Sequence, residues 1–285
     1  MTRRVALLGK PLRRRHSVVM HNAAFRAASI DAEYVLRELD ADDVADAVAQ
    51  ARGPDWLGLG VTAPYKQVVA GLVDEVELDA QAIGAVNNVL RTGDGRLVGF
   101  NSDAPGFQRA AELVIGRPLD GLDVVVAGGG GAAHAVVFAC LRGGARSVTV
   151  GTRTAANGDA LADHFQDLAR GRRIATLLGG PQFVAATEAA DLAVNATTVG
   201  MVDPGTTISV DRLPASAAVF DLVYVPPETE LVRAARARGL RAANGSEMLI
   251  EQAAIAFERW TGVAGMASVM REAVAPLLAD AAAPA

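Results

Sequence analysis

The 285-residue sequence contains a single cysteine, Cys140, which excludes an intramolecular disulfide. Its four histidines show no Cys/His spacing typical of a metal site, so no bound metal is expected. Lysine is also scarce: Lys10 and Lys66 are the only two, and the remainder of the 27 basic residues are arginine. Because arginine supplies positive charge elsewhere in this chain, a retained lysine points to a need for a titratable amine.

Positive charge and long apolar runs are in short supply as well. The 27 basic and 32 acidic residues give a net charge of −5, without the broad positive field that nucleic acids or anionic membranes require. The first apolar run, Val5 to Gly9, is too short for a signal peptide. The stretch from Val124 to Leu141 is interrupted by four glycines and a histidine, which argues against a membrane span. We therefore expect a cytoplasmic protein whose partners are small molecules.

The length predicts about two domains, and short β-type runs alternate with helical patterns, as in βαβ units. In the first half, RVALLG, AEYVLREL and DWLGLGV read as strands, with helices near 18–29 and 41–52. AVNNVLRT and RLVGF read as a hairpin-like pair around GDG, and NSDAPGFQRAAELV begins with a cap signal and continues as a helix. We place the domain boundary there, after residue 103.

The second half opens with a strand, a glycine turn, a helix and another strand within about 30 residues, from LDVVVAGGGG to SVTVGTRT. RIATLL, DLAVNA and AVFDLVY read as later strands. The predicted fold class is therefore α/β, with an N-terminal domain over 1–103 and a Rossmann-type domain over 104–245. A helix over 246–270 is predicted to pack back on the first domain, and 272–285 reads as a helix that frays.

A glycine motif follows the strand VVVA directly: Gly128, Gly130 and Ala133 match G-x-G-x-x-G/A. Gly128 would form the tight turn, Gly130 would let the backbone approach a pyrophosphate, and Ala133 would allow close helix packing. The alternative is a merely glycine-rich turn between strand and helix.

The end of the next strand bears on the choice of dinucleotide. An acidic residue there would favour NAD, whereas this chain has Thr152, Arg153 and Thr154. An arginine with neighbouring hydroxyls suits the 2′-phosphate of NADP. The alternative is that Arg153 is a solvated surface residue.

Five segments together resemble the shikimate dehydrogenase family over nearly the whole chain. They are GKPLRRRHSVVMHNAAF, VTAPYK, IGAVNNVL with GFNSD, GGGGAA followed by TRT, and DLAVNATTVGM with DLVY and NGSEMLIEQAAIAFERWTG. The resemblance implies reversible hydride transfer between NADP and the C3 position of shikimate or 3-dehydroshikimate. It also implies that the first domain binds the substrate and that the protein is a monomer or a homodimer.

The resemblance assigns roles to individual residues. Lys66 and Asp103 match the family's acid/base pair, in which an amine stabilises developing charge on oxygen and supplies the proton while a carboxylate orients it. The alternative is a surface lysine at a helix start paired with a capping aspartate. The implied substrate contacts are Thr62, Lys66, Asn87, Asp103 and Gln252. The implied cofactor contacts are Gly128, Gly129, Gly130, Gly131, Ala132, Ala133, Thr152, Arg153, Thr154, Asn195, Thr197, Met201 and Gly245.

Three positions depart from the family pattern. Arg15 stands where the first of two serines belongs, and only Ser17 retains the second. Gly60 replaces an asparagine, and Asn157 replaces a basic residue in the NADP clamp. We hypothesise that Arg15 takes over as a ligand of the substrate carboxylate, that Gly60 opens room for it, and that Ser17 remains a contact. The alternative places Arg15 in a solvated basic loop.

These departures keep other functions open. One is a family paralogue that acts on quinate, an aminated analogue or another ring carboxylate. Another is a non-catalytic ligand sensor on the same two domains, which would be expected to lose the acid/base pair. The presence of both Lys66 and Asp103 argues against the sensor.

Overall fold

The computed structural model describes residues 2–13, 15–170, 175–201 and 204–280. The chain separates into two compact units: unit 1 comprises residues 1–102 and 250–277, and unit 2 comprises residues 103–249 and the C-terminal residues from Leu278. From the sequence we predict a substrate-binding domain over 1–103 and a dinucleotide-binding domain over 104–245. The assignment of these functions to the two units remains a prediction.

Unit 1 is built around one mixed sheet with the strand order β2-β1-β3-β5-β6-β4. The first three strands are parallel, β5 and β6 form the predicted antiparallel pair, and β4 runs parallel to β6. The strands are β1 (Arg3–Gly9), β2 (Ala32–Glu38), β3 (Trp56–Val61), β4 (Glu75–Val76), β5 (Asn88–Arg91) and β6 (Leu97–Phe100). The helices from the N-terminal segment are α1 (His16–Ala27), α2 (Val44–Gln50) and α3 (Leu78–Ile83).

Strand alternation separates a core from a second face in this sheet. Leu59 and Val61 of β3 point into a buried cluster with Ala6 and Leu8 of β1. The alternating residues Gly58 and Gly60 therefore face the opposite side. The three predicted strands of this unit are confirmed, and the helix expected from residue 41 is wrong at its start, because a 3₁₀ turn over Ala41–Asp43 precedes α2.

Unit 2 has a fully parallel sheet with the strand order β12-β11-β10-β7-β8-β9, which is the doubly wound arrangement of dinucleotide-binding folds. Its strands are β7 (Asp123–Ala127), β8 (Ser147–Thr152), β9 (Ala175–Leu177), β10 (Leu192–Asn195), β11 (Ala218–Asp221) and β12 (Arg241–Asn244). Its helices are α4 (Asp103–Ile115), α5 (Gly131–Arg142), α6 (Ala155–Ala169), α7 (Pro181–Glu188) and α8 (Glu230–Ala237). The first two residues of the predicted strand RIATLL lie outside the described residues. β12 was not predicted, because RAAN has little β-branched or aromatic character.

The chain ends in α9 (Ser246–Thr261) and α10 (Ala267–Asp280). The prediction that a C-terminal helix packs on the first domain is confirmed: Trp260 Nε1 donates to the Val89 carbonyl at 3.0 Å, and Phe257 contacts Phe25 with ring centroids 5.1 Å apart. The prediction of one continuous helix over 246–270 is wrong, because α9 ends at Thr261 and α10 begins at Ala267, which is also earlier than the predicted start at 272. Residues 281–285 lie outside the described residues. Within the described part of the chain, no helix is both long and apolar enough to span a bilayer.

Candidate functional site

The glycine motif forms a tight turn between β7 and α5. Gly128 has φ +125°, a conformation open to glycine, and a Cβ there would lie 2.7 Å from the Ala196 carbonyl oxygen. A Cβ at Gly129 would lie 2.9 Å from Thr152 Cγ2. Backbone conformation and close packing therefore both require glycine at Gly128.

The N-terminus of α5 is open to an external group. Gly130 caps the helix in an extended conformation, and a Cβ at Gly130 or Gly131 would meet no protein atom within 4 Å. Ala133 is fully buried against the fold, as close helix packing requires. The first-turn N–H groups have no intrahelical partners and suit an anion. The residues present thus fit the pyrophosphate of a dinucleotide.

The residues at the end of β8 differ in their availability. Thr152 is buried and donates to the Thr154 carbonyl at 2.9 Å, while the Thr154 hydroxyl caps α6 by accepting from the Asn157 backbone N–H. Arg153 is exposed and forms no ion pair with the described residues. Of the three predicted contacts, Arg153 has the side chain best placed to meet a ligand.

Asn195, predicted as a cofactor contact, has a fully engaged side chain. Its amide donates to Asp221 Oδ1 at 2.8 Å and to the Val199 carbonyl at 3.1 Å. Its oxygen accepts from the Thr197 hydroxyl at 2.7 Å and the Thr207 hydroxyl at 3.1 Å. The arrangement shapes the loop after β10, and Thr197 is held within it.

Asp221 belongs to this network, although it is not among the site residues predicted from the sequence. It pairs with Asn195 across β10 and β11 and is fully buried. It accepts from Thr229 Oγ1 at 2.6 Å and from the Val223 N–H at 3.1 Å. Burial raises the pKa of Asp221, against these hydrogen bonds, which lower it. Its position in DLVY, at the end of a strand, is the sequence signal for such a role.

Three further predicted cofactor residues lie in the same unit. A Cβ at Gly245 would lie 2.2 Å from the Leu222 carbonyl oxygen, so a larger residue is excluded there. Met201 is partly buried, and its N–H donates to the Thr198 carbonyl at 3.0 Å. Ala132 is exposed at the start of α5.

A buried polar cluster in unit 1 joins two of the predicted substrate contacts. Ser102 Oγ lies 3.2 Å from Asn87 Nδ2 and 3.3 Å from Gln252 Oε1. Asn87 Oδ1 accepts from Asn88 Nδ2 and from the Ser102 N–H, both at 2.8 Å. Asn88 and Ser102 were not predicted, although both lie in segments that carry the resemblance. A serine and two asparagines within short motifs gave no sign that their side chains converge.

Thr62 and Lys66 lie in the turn that follows β3. The Thr62 N–H donates to the Leu8 carbonyl at 2.8 Å, and the Lys66 carbonyl accepts from the Val86 N–H at 2.9 Å. The buried Tyr65 side chain donates to the Leu39 carbonyl at 2.6 Å. Lys66 is partly buried and lies in a turn. It is therefore not the surface lysine at a helix start that was the alternative interpretation. The backbone of the turn is therefore anchored on both sides.

The remaining predicted site residues occupy helix starts. Arg15 is exposed at the N-cap of α1 without a side-chain cap bond, and Ser17 is partly buried in its first turn. Asp103 is the first residue of α4 and is partly buried. No group of three or more His, Cys, Asp or Glu side chains arranged to hold a metal occurs among the described residues.

Two segments of the chain, one in each half, match domains of a known protein family. Residues 7–89 match the shikimate dehydrogenase substrate binding domain, and residues 245–275 match the shikimate 5′-dehydrogenase C-terminal domain. A shikimate dehydrogenase (NADP(+)) from Geobacter metallireducens is 38% identical over 275 residues, with 96% of each chain covered.

Solved structures agree with these matches. Shikimate 5-dehydrogenase from Thermus thermophilus, in complex with NADP(H) and shikimate, has a TM-score of 0.84 and 36% identity, with 96% of this chain and 99% of that one covered. Quinate dehydrogenase from Corynebacterium glutamicum, in complex with NAD, has a TM-score of 0.87 and 33% identity, with 96% and 99% covered. With relatives this similar over nearly its whole length, the chain belongs to the shikimate dehydrogenase family.

Proposed function

We propose that this protein is an NADP-dependent dehydrogenase that interconverts shikimate and 3-dehydroshikimate. The observation that carries the proposal is full-length similarity to NADP-dependent shikimate dehydrogenases in a chain that retains both Lys66 and Asp103. We also propose that the enzyme acts in the cytoplasm and that it is a monomer or a homodimer.

Lys66 is the proposed acid/base residue. Reduction of the ketone leaves negative charge on oxygen, and the Lys66 ammonium stabilises that charge and donates a proton. In the reverse direction the neutral amine accepts the proton of the C3 hydroxyl. Asp103 orients the amine. The backbone hydrogen bonds around the turn hold Lys66 in place before the substrate arrives.

The proposed dinucleotide site uses residues of unit 2. The N–H groups at the start of α5 receive the pyrophosphate, and the exposed Arg153 pairs with the 2′-phosphate. NADP, when bound, supplies the hydride acceptor. The hydrogen-bonded network of Asn195 fixes the loop after β10, which carries Thr197 and Met201.

The proposed substrate contacts are polar groups of unit 1. Thr62, Asn87 and Gln252 would hold the ring hydroxyls and the carboxylate, with Ser17 and Arg15 at the start of α1. The Ser102 hydroxyl between Asn87 and Gln252 sets the orientation of both amides, so the pair is arranged before binding.

A second candidate is dehydrogenation of quinate. It is favoured by the departures at Arg15 and Gly60 and by the 33% identity to a quinate dehydrogenase. Quinate carries an additional ring hydroxyl and lacks the ring double bond, so a changed set of contacts could admit it.

Steady-state kinetics with shikimate and quinate, each with NADP and NAD, decide between the candidates. The proposal expects the highest kcat/KM for shikimate with NADP. A higher kcat/KM for quinate would support the second candidate. Binding of shikimate without turnover by any of the four combinations would support the non-catalytic sensor.

A further inference from the structure

In unit 1, the Tyr34 side chain occupies the space that a side chain at position 60 would need. A Cβ at Gly60 would lie 2.5 Å from Tyr34 Oη and 3.2 Å from Leu7 Cδ1. The hydroxyl of Tyr34 therefore covers the glycine. The expectation that Gly60 opens room is corrected by this contact, because the room is filled by the phenol.

The hydroxyl lies on the sheet face that carries the polar cluster. Gly60 pairs directly with Asn88 across the antiparallel strands β3 and β5, so both residues project to the same side. Asn88 Nδ2 donates to Ser102 Oγ at 2.8 Å, and Ser102 contacts Gln252. Tyr34 thus borders the side chains proposed to bind the substrate.

The tyrosine is held rigidly. Its ring stacks on His21, with centroids 4.4 Å apart and planes 18° apart, and Trp260 lies 6.1 Å away. Asn22 fixes the Tyr34 backbone through two hydrogen bonds, at 2.9 and 2.8 Å. The side chain does not need to be ordered when a ligand binds, which lowers the entropic cost of using it.

The hydroxyl has no hydrogen-bond partner among the described residues, although Tyr34 is only 3% exposed. His21 Nδ1, in the ring stacked on Tyr34, is enclosed and also lacks a hydrogen-bond partner among the described residues. Burial raises the pKa of Tyr34, which keeps the hydroxyl protonated as a donor. A buried donor without a partner among the described residues is normally satisfied by an ordered water or a bound ligand.

We infer that the Tyr34 hydroxyl is a specificity-determining contact that donates a hydrogen bond to an oxygen of the ring carboxylate substrate. The inference rests on the proposed function for the class of ligand. It assigns to Tyr34 the recognition of one oxygen, and it explains why position 60 has no side chain.

The test compares the affinity of the parent and Tyr34→Phe for shikimate and quinate by calorimetric titration, which does not depend on turnover. Loss of one hydrogen bond should raise the Kd of the preferred ring carboxylate about tenfold. The Tm should not fall, because no protein partner is lost, and the Kd for NADP should stay unchanged. Tyr65→Phe is the stability control: its hydroxyl bonds Leu39, so its Tm should fall.

Gly60→Ala supplies an independent arm. Its added methyl should displace the Tyr34 hydroxyl and weaken ring carboxylate binding to a similar extent. In the Tyr34→Phe background, Gly60→Ala should add little, because the clashing oxygen is gone. Additive losses would contradict a shared cause.

The outcomes separate the two proposals. Equal Kd values for the parent and Tyr34→Phe would overturn the inference and leave the proposed function standing. Tight binding of shikimate by the parent without turnover would overturn the proposed function alone. Absence of any ring carboxylate binding by the parent would overturn both.

Discussion

The two candidate sites are made from different parts of the chain. The glycine turn between β7 and α5 in unit 2 is a candidate backbone site, in which one glycine takes a left-handed conformation and two others leave helix N–H groups uncovered. The polar cluster of unit 1 is a side-chain site, in which Asn87, Asn88, Ser102 and Gln252 hold one another. A backbone site depends on a few contiguous residues, whereas a side-chain site depends on segments that meet only after folding.

Removal of the proposed acid/base side chain should give the largest effect. Lys66→Ala should lower kcat for shikimate on the order of 10² or more, with a smaller effect on KM, because no other group supplies the proton. Lys66→Arg should be similarly impaired, since arginine does not release a proton near neutral pH. Steady-state kinetics check both variants.

Lys10→Ala is the matched control, since Lys10 is the only other lysine. It is exposed and pairs with Asp40. Its kcat should stay close to that of the parent. A Lys66→Ala variant that retained most of its kcat would contradict the assignment.

The second-largest effect is expected at Arg153, the predicted cofactor contact whose side chain is charged. Arg153→Ala should abolish a preference of about tenfold to a hundredfold for NADP over NAD, because a charge-assisted bond to the 2′-phosphate is worth about 1.5 to 3 kcal/mol. The kcat/KM with NAD in the same variant is the control and should change little. Equal kcat/KM for both cofactors in the parent would refute the role of Arg153.

The backbone character of the nucleotide site is tested by two glycines. Gly130→Ala should leave the Tm unchanged, since its methyl meets no protein atom, but raise the KM for NADP on the order of tenfold by crowding the pyrophosphate. Gly128→Ala should lower the Tm in addition to raising the KM for NADP, because it places a side chain at a left-handed φ and against Ala196. An unchanged KM for NADP in Gly130→Ala would place the dinucleotide elsewhere.

The smallest effect is expected at Arg15. Arg15→Ser should raise the KM for shikimate several-fold and reduce the preference for shikimate over its carboxamide analogue, because a guanidinium binds a carboxylate through two bonds. Arg13→Ser, at a nearby exposed residue, is the control and should change neither value. An unchanged KM and preference in Arg15→Ser would place Arg15 in solvent.

The sequence by itself determined the α/β class, most strand positions and the glycine turn, because apolar alternation and glycine spacing are local properties of the chain. Tertiary structure decided which polar side chains meet. Ser102 meets Gln252 although the two residues are 150 positions apart in the sequence, and Asn195 meets Asp221 only because β10 and β11 are neighbours in register. The phenol over Gly60 was equally hidden, since a strand pattern predicts which face a residue occupies but not how far a neighbouring tyrosine extends over it.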